Sequence, residues 1–312
     1  MKDHRVALLA LGGTIWGFGL WLATGAEPER LSAACCGHGN EDQHQEELVL
    51  ERSFDLGPGG QLEIDVADAD VQVTTGAGGA ATVKVYVSAR DIDWGRELVD
   101  RMDFQILTEG NTLIVEADHP HVEDHEWREH RGGAGIEVRV SIPARFDTEI
   151  RTGDGDISLG DLEGRVSVHT ADGDLTTGTL VGPEIKLRTS DGDVTAASLE
   201  APQIRLHTGD GDVEVRRLAG ALEASTGDGD ISVRLAASQE AQLRSGDGDI
   251  TVYTGRALGF DVDLSGETVS LGAGFQLDGT RGPGWARGSV NGGGPQLRIR
   301  TSDGTVRFRM DG

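Results

Sequence analysis

In the C-terminal half of the chain, apolar and polar side chains alternate in short runs that recur at a nearly fixed interval. Each run follows Asp-Gly-Asp, and successive copies are 18, 19, 19, 18 and 19 residues apart. Such a period indicates one supersecondary unit stacked on copies of itself. The sequence therefore predicts an all-β protein: a single-stranded parallel β-helix, or β-solenoid, of 18–19-residue coils with an N-terminal cap that is mostly β.

Within a coil, the alternation separates an inner from an outer face. Ile185 and Leu187 are expected to point inward, whereas Lys186 and Arg188 point outward. Asp-Gly-Asp then lies at a corner, where its glycine is expected to adopt a positive φ. Inward Thr and Ser residues just before this corner are expected to carry hydrogen bonds from coil to coil. The predicted structural corner glycines are Gly155, Gly173, Gly192, Gly211, Gly229, Gly248 and Gly304.

The repeat becomes irregular after Ile250 but continues. Val269 follows Ile250 by 19 residues, Val290 follows Val269 by 21, and Val306 follows Val290 by 16. This series predicts further coils that stack in chain order. The strand Thr305–Met310 would then end the stack with an unpaired parallel edge. Such an edge predicts association with a partner strand or, end to end, with a second copy.

Residues 47–143 show strand patterns without the regular repeat, broken by a short helical pattern near Arg96–Met102. A solenoid needs a terminal unit that covers its open end. This region is therefore interpreted as the cap and first coils, with Asp68-Ala69-Asp70-Val71 as a degenerate corner. Residues 144–312 are assigned to the solenoid repeats.

The N-terminus carries a targeting signal. A charged start is followed by 21 uncharged residues, Val6–Ala26, and Thr24-Gly25-Ala26 resembles a signal-peptide cleavage site. The run is also long enough to act as an uncleaved anchor, so residues 1–26 are either a signal peptide or an anchor, and residues 27–46 are a linker. The solenoid is thus expected to be exported: periplasmic, at the cell surface or membrane-anchored. Membrane contact is expected only through this segment.

Acidic side chains outnumber basic ones 53 to 28, which gives a net charge of −25 and argues against nucleic-acid binding. The repeated aspartates would repel one another. A basic stripe three residues before each corner offers one way to balance them: Arg151, His169, Arg188, His207, Ser225, Arg244 and Arg300. Calcium, which prefers carboxylate and carbonyl oxygens, offers another. The candidate calcium ridge is Asp154, Asp156, Asp172, Asp174, Asp191, Asp193, Asp210, Asp212, Asp228, Asp230, Asp247 and Asp249.

Two smaller features lie outside the repeats. His119, His121, His125 and His130 fall within 12 residues, and their imidazoles could bind a transition metal or respond to pH; a solvated loop is the alternative. Cys35 and Cys36 are adjacent in the linker, where the alternatives are lipidation and a thiol pair that could form an intermolecular disulfide.

These patterns together resemble a known family. Tandem Gly-Asp-[Ile/Val] units, Ile142-Pro143 after a strand and the late run Gly288-Ser289-Val290-Asn291-Gly292-Gly293-Gly294 are similar to the bacterial β-strand-repeat family of unknown function called putative adhesin, akin to the toastrack domains of envelope-stress proteins. The resemblance covers about residues 47–310 and implies a β-helical, non-enzymatic envelope protein. It supplies no catalytic residues.

The acids of this chain repeat identically, which predicts a structural column and not an active site with separate acid and base roles. The expected function is therefore an exported, adhesin-like binding or structural module, whose partner would be an envelope protein or a surface glycan. An envelope-stress sensor module and a calcium-stabilised surface or matrix protein are the alternatives. No cofactor is expected apart from calcium.

Overall fold

A computed structural model of the protein describes residues 45–76, 78–120, 122 and 133–311. Asp42–Gly312 forms one compact unit. Its first part contains seven strands and one helix. These elements are β1 (Gln45–Asp55), β2 (Gly60–Val66), β3 (Asp70–Thr75), β4 (Ala80–Ala89), α1 (Ile92–Arg101), β5 (Gln105–Glu109), β6 (Thr112–Ala117) and β7 (Ala134–Ile142).

The regular coils follow. Their strands are β8 (Phe146–Thr152), β9 (Ile157–Leu159), β10 (Leu162–Glu163), β11 (Val166–His169), β12 (Leu175–Val181), β13 (Ile185–Arg188), β14 (Val194–His207), β15 (Val213–Ser225), β16 (Ile231–Leu235), β17 (Ala241–Arg244) and β18 (Ile250–Thr254). The last part contains β19 (Phe260–Ser265), β20 (Thr268–Leu271), β21 (Leu277–Gly282), β22 (Trp285–Val290), β23 (Gln296–Arg300) and β24 (Thr305–Met310).

The coils stack as parallel β-sheets, which confirms the predicted β-helix. One column of strands precedes the Asp-Gly-Asp corner and the other follows it. In the first column Ile185 pairs with Ile204, and in the second Leu175 pairs with Val194. The inward aliphatic side chains of successive coils are buried on one another, whereas the polar side chains between them remain on the surface.

The C-terminal coils do not stack in chain order. β24 lies between β18 and β20, and β23 lies between β17 and β19. Val306, not Val269, therefore follows Ile250 in the stack, and Val290 lies in an antiparallel hairpin. The predicted order of these coils is wrong. So is the predicted open edge at Thr305–Met310, because β24 is paired on both sides.

The N-terminal strands show the same kind of exchange. The segment β2–β3 lies next to β8 and β9, while the later segment β6–β7 lies outside it. Val71 pairs with Ile157, so Asp68-Ala69-Asp70-Val71 is the first corner of the column, as predicted. Beyond β7, the strands β4 and β1 continue the sheet in antiparallel order.

Helix α1 begins earlier than the sequence pattern indicated. The Asp91 carboxylate accepts a hydrogen bond from the Trp94 amide at 3.2 Å, so it caps the first turn. The helix buries Trp94 and Leu98 and packs against β1, β4 and β7. At the other end, Phe308 packs against Phe260 and Phe275, with ring centroids 6.0 and 4.6 Å apart. Aliphatic side chains thus fill the regular coils, and several of the larger aromatic side chains lie near the ends. The cap function of residues 47–143 stays a prediction.

Candidate functional site

The corner glycines form a column in which each backbone lies directly on the backbone of the corner before it. A Cβ atom on Gly192 would overlap the carbonyl oxygen of Gly173, and one on Gly211 would overlap that of Gly192. None of the seven corner glycines has a positive φ; the positive-φ glycines lie elsewhere. The positive-φ explanation is therefore wrong. These positions require glycine because the stacked backbones leave no room for a side chain. The seven are Gly155, Gly173, Gly192, Gly211, Gly229, Gly248 and Gly304.

Inside the corner, hydroxyl groups connect neighbouring coils. The Thr208 hydroxyl donates a hydrogen bond to the Gly192 carbonyl oxygen at 2.8 Å and accepts one from the Gly211 amide at 3.2 Å. It thereby satisfies two buried backbone groups of two coils. The coil-to-coil hydrogen bonds predicted for these side chains are confirmed. The donating residues are Thr152, Thr170, Thr189, Thr208, Thr226, Ser245 and Thr301.

Outside the corner, the second aspartate of each copy also connects coils. Asp193 Oδ1 accepts a hydrogen bond from the Asp212 amide at 2.7 Å, and Asp174 Oδ1 accepts one from the Asp193 amide at 2.8 Å. These bonds partly offset the repulsion between neighbouring carboxylates. This role was not predicted from the sequence, although the strict position of the acid before each strand was the available signal. The aspartate ladder consists of Asp70, Asp156, Asp174, Asp193, Asp212, Asp230 and Asp249.

The ladder predicts different effects for the two aspartates of one corner. Asp193→Ala should lower the free energy of unfolding by about 1–2 kcal/mol, because the Asp212 amide loses its acceptor. Asp193→Asn keeps an acceptor oxygen and removes a charge, so we expect it to be neutral or stabilising. Urea unfolding of both variants, with Asp191→Ala as the matched control, measures the difference. An equal loss in all three variants would contradict the ladder.

The first aspartate of each copy is exposed, and within the described residues its carboxylate makes no hydrogen bond or ion pair. These residues are Asp154, Asp172, Asp191, Asp210, Asp228 and Asp247. Over the part of the chain that the structure describes, no group of three carboxylate, thiol or imidazole side chains lies close enough to hold one metal ion. Calcium binding by the ridge stays a prediction.

Calcium and ordinary salt should be distinguishable on this ridge. If the carboxylates only repel one another, calcium chloride and sodium chloride of equal ionic strength should raise the melting temperature equally. We expect that result, because one oxygen of each ladder aspartate already accepts an amide hydrogen bond. A larger rise with calcium, lost when Asp191 and Asp210 are changed to Asn, would instead support a calcium ridge.

The basic stripe forms a continuous outward row. His169 pairs in register with Arg151 on one side and Arg188 on the other. Within the described residues, however, the ion pairs of the stripe do not reach the aspartate corners. Arg151 contacts Glu149, and Arg300 contacts Asp263. Partial burial, followed by the charge of Arg188, lowers the pKa of His207.

The two ends of the aspartate ladder differ in electrostatics. Hydrogen bonds from the Arg307 guanidinium and the Thr305 amide lower the pKa of Asp249. This contribution to stability is present above the pKa of an unfolded aspartate and is lost as the pH falls through the lowered value. Burial raises the pKa of Asp70. The hydrogen bond from the Asp156 amide opposes this rise, and the negative charges of Asp156 and Glu137 add to it. Acid therefore removes stability at the Asp249 end, whereas protonation of Asp70 relieves the unfavourable burial of a charge at the other end.

The remaining candidate residues lie mostly outside the described part of the chain. His119 Nδ1 is 2.6 Å from Asp68 Oδ2 at the first corner. His121, His125 and His130 lie outside the described residues, as do Cys35, Cys36 and the apolar run at residues 6–26. The transition-metal site stays a prediction. Among the described helices, none is long and apolar enough to cross a membrane.

A protein-family model, Toastrack DUF4097, matches residues 60–309. No curated protein sequence gives a significant match.

Solved bacterial structures are similar over most of their length. A putative adhesin from Bacteroides fragilis NCTC 9343 is 15% identical, with 84% of this chain and 97% of that chain covered and a TM-score of 0.45. A putative adhesin from Parabacteroides distasonis ATCC 8503 is 14% identical, with 84% and 97% covered and a TM-score of 0.40. A putative lipid binding protein from the same strain is 12% identical, with 84% and 96% covered and a TM-score of 0.36. Likenesses this distant support no inference about a ligand.

Proposed function

The chain belongs to the Toastrack DUF4097 family, and on this premise we propose that it is a non-enzymatic binding or structural module of the cell envelope, with its solenoid outside the cytoplasm. The observation that carries the proposal is the repetition of one corner structure. The same glycine, hydroxyl and carboxylate contacts recur in coil after coil.

This repetition argues for a structural role of the acids. In a hydrolase the two carboxylates have different environments, which separate their pKa values into an acid and a base role. Here the second aspartates of the central coils, such as Asp174 and Asp193, share one environment, and each accepts a backbone amide hydrogen bond. Their chemistry therefore holds coils together, and the flat outer faces of the strands remain available for contacts.

The outer faces differ in character, which suits a module that contacts other molecules. The strand face before the corner carries the basic stripe of Arg151, His169, Arg188, His207, Ser225, Arg244 and Arg300. The face after the corner carries mainly hydroxyl groups, including Ser158, Thr176 and Thr195. A polyanionic solenoid that presents a basic row on one face and hydroxyls on another can contact more than one kind of surface.

The location of the solenoid tests this proposal. Cells that express the full-length chain with a C-terminal tag should lose the tag when protease is added after the outer layer of the envelope is opened. A cytoplasmic protein in the same cells serves as the control and should survive. Deletion of residues 1–26 should retain the tagged chain inside and protect it. If the tag of the full-length chain survives together with the cytoplasmic control, the envelope proposal is wrong.

A further inference from the structure

The outward face of the N-terminal sheet contains a groove whose floor is polar. The groove crosses β1, β4, β7 and β3, and its cavity measures about 430 Å³. Thr82 lies opposite Ser141, which lies opposite Thr74 on the next strand, and Ser53 lies opposite Thr82 on the other side. We call these four residues, Ser53, Thr82, Ser141 and Thr74, the hydroxyl row. It runs across the strands at the spacing of a β-sheet, about 4.8 Å.

A second row of longer side chains borders the hydroxyl row. Gln72 lies opposite Arg139, Arg139 lies opposite Lys84, and Lys84 lies opposite Glu51. The Lys84 ammonium is 3.4 Å from Glu51 Oε1. Small hydroxyl side chains next to long ones give the sheet surface its depression.

Several polar groups in the groove have no partner within the described residues. The side chains of Gln72, Thr82 and Ser141 make no hydrogen bond to the described protein atoms, whereas the Thr74 hydroxyl donates to the Val140 carbonyl oxygen at 3.4 Å. One amide and two hydroxyls can both donate and accept. They are therefore available to a ligand that carries donors and acceptors close together.

The walls of the groove are held in place by contacts of their own. The Arg139 guanidinium lies 4.0 Å from the centroid of the Tyr86 ring and hydrogen-bonds both Glu137 and Glu46. These contacts connect three neighbouring strands. A ligand would meet a site that is already formed, so little conformational entropy would be lost on binding.

The charge of the groove excludes one class of ligand. Glu46, Glu51 and Glu137 place three carboxylates around the two cations Lys84 and Arg139, and both cations are already paired. An anion would meet a net negative surface in a strongly acidic protein. Phosphate, sulfate and uronate groups are therefore disfavoured.

The floor also argues against a peptide. A peptide that adds to a sheet needs a strand edge with free backbone groups. Both β4 and β7 are interior strands paired on two sides, so the floor offers side chains and not backbone groups. Recognition here must use hydroxyl and amide side chains.

We propose that this groove binds a neutral carbohydrate of about disaccharide size. The inference rests on the proposed function, since it gives the envelope module a ligand class. A neutral sugar supplies vicinal hydroxyls that match the free groups of Gln72, Thr82 and Ser141 without adding charge. The cavity lies within the range of about 300–1,000 Å³ that is usual for small-ligand sites.

The proposal can be tested by NMR. The purified full chain is titrated with maltose, cellobiose and lactose, and the amide spectrum is recorded at each step. At least one of these sugars should shift amides of β3, β4 and β7 selectively. In the double variant Thr82→Val/Ser141→Val the affinity should fall at least about tenfold, because two hydrogen bonds are lost. The matched control Thr268→Val/Thr280→Val removes two exposed hydroxyls from the C-terminal strands β20 and β21 and should leave the affinity unchanged.

Three results would overturn the proposal: no selective shift with any of the three sugars, an unchanged affinity in the groove variant, or tighter binding of digalacturonate than of the neutral sugars. Equal melting temperatures of the two double variants would show that any loss of affinity is not unfolding. The location of the chain is a separate readout. If the chain is exported but none of the three sugars shifts its amide signals, the carbohydrate proposal is wrong and the envelope proposal still stands.

Discussion

Replacement of Gly192 by alanine should lower the free energy of unfolding by about 3 kcal/mol, at the upper end of the usual range for overpacking. The added Cβ would overlap the carbonyl oxygen of Gly173 in the coil below. Backbone atoms of a stacked β-sheet cannot move aside without breaking the hydrogen bonds of both coils. Thermal and urea unfolding of the purified protein measure the loss.

Gly135→Ala is the matched control. Gly135 is an exposed strand glycine without a positive φ, and a Cβ there would meet no atom within 4 Å. Its free energy of unfolding should change by less than about 1 kcal/mol and can rise, because alanine restricts the unfolded chain. If Gly192→Ala is as harmless as Gly135→Ala, the close stacking of corner backbones is not what selects glycine.

Replacement of Thr208 by valine should lower the free energy of unfolding by about 2–4 kcal/mol, because two buried backbone groups lose their partner at once. Valine has nearly the same shape as threonine, so packing changes little. The Gly192 carbonyl oxygen then lacks a donor from the next coil, and the Gly211 amide lacks an acceptor within its own. Urea unfolding of the variant measures this loss.

Two further variants separate the hydroxyl from the shape of the side chain. Thr208→Ser keeps both hydrogen bonds and should recover most of the stability. Thr195→Val removes an outward hydroxyl two residues after the ladder aspartate Asp193, in the same stack of coils. This change should alter the free energy of unfolding by less than about 0.5 kcal/mol. A loss in Thr208→Ser as large as in Thr208→Val would show that the two hydrogen bonds of the Thr208 hydroxyl do not stabilise the corner.

The regular coils were predictable because the signals for their structure lie within each repeat of the sequence. Alternation in a segment such as Ile185–Arg188 assigns an inner and an outer face by the two-residue period of a strand. The fixed interval between Asp-Gly-Asp copies sets the register of one coil on the next. Both signals are local, so they can be read without knowing which segments meet.

The corner chemistry was only half predictable. The sequence located the glycine, hydroxyl and carboxylate columns, but it attributed glycine to a positive φ and the second aspartate to a charged ridge. The structure assigns Gly192 to the close approach of two backbones and Asp193 to a hydrogen bond with the amide of the next coil. Both reasons depend on the distance between coils, which a single segment does not contain.

The sequence by itself determined the β-helix, its period and the inward and outward residues of its central coils, because these follow from local alternation and repetition. Only the tertiary structure decided the order of the coils at both ends and the groove on the N-terminal sheet. There β24 enters between β18 and β20, and Thr82, Ser141 and Thr74 meet from three strands. Strand pairing depends on which edges are free when segments meet in space, and neighbours in the chain need not be neighbours in the sheet.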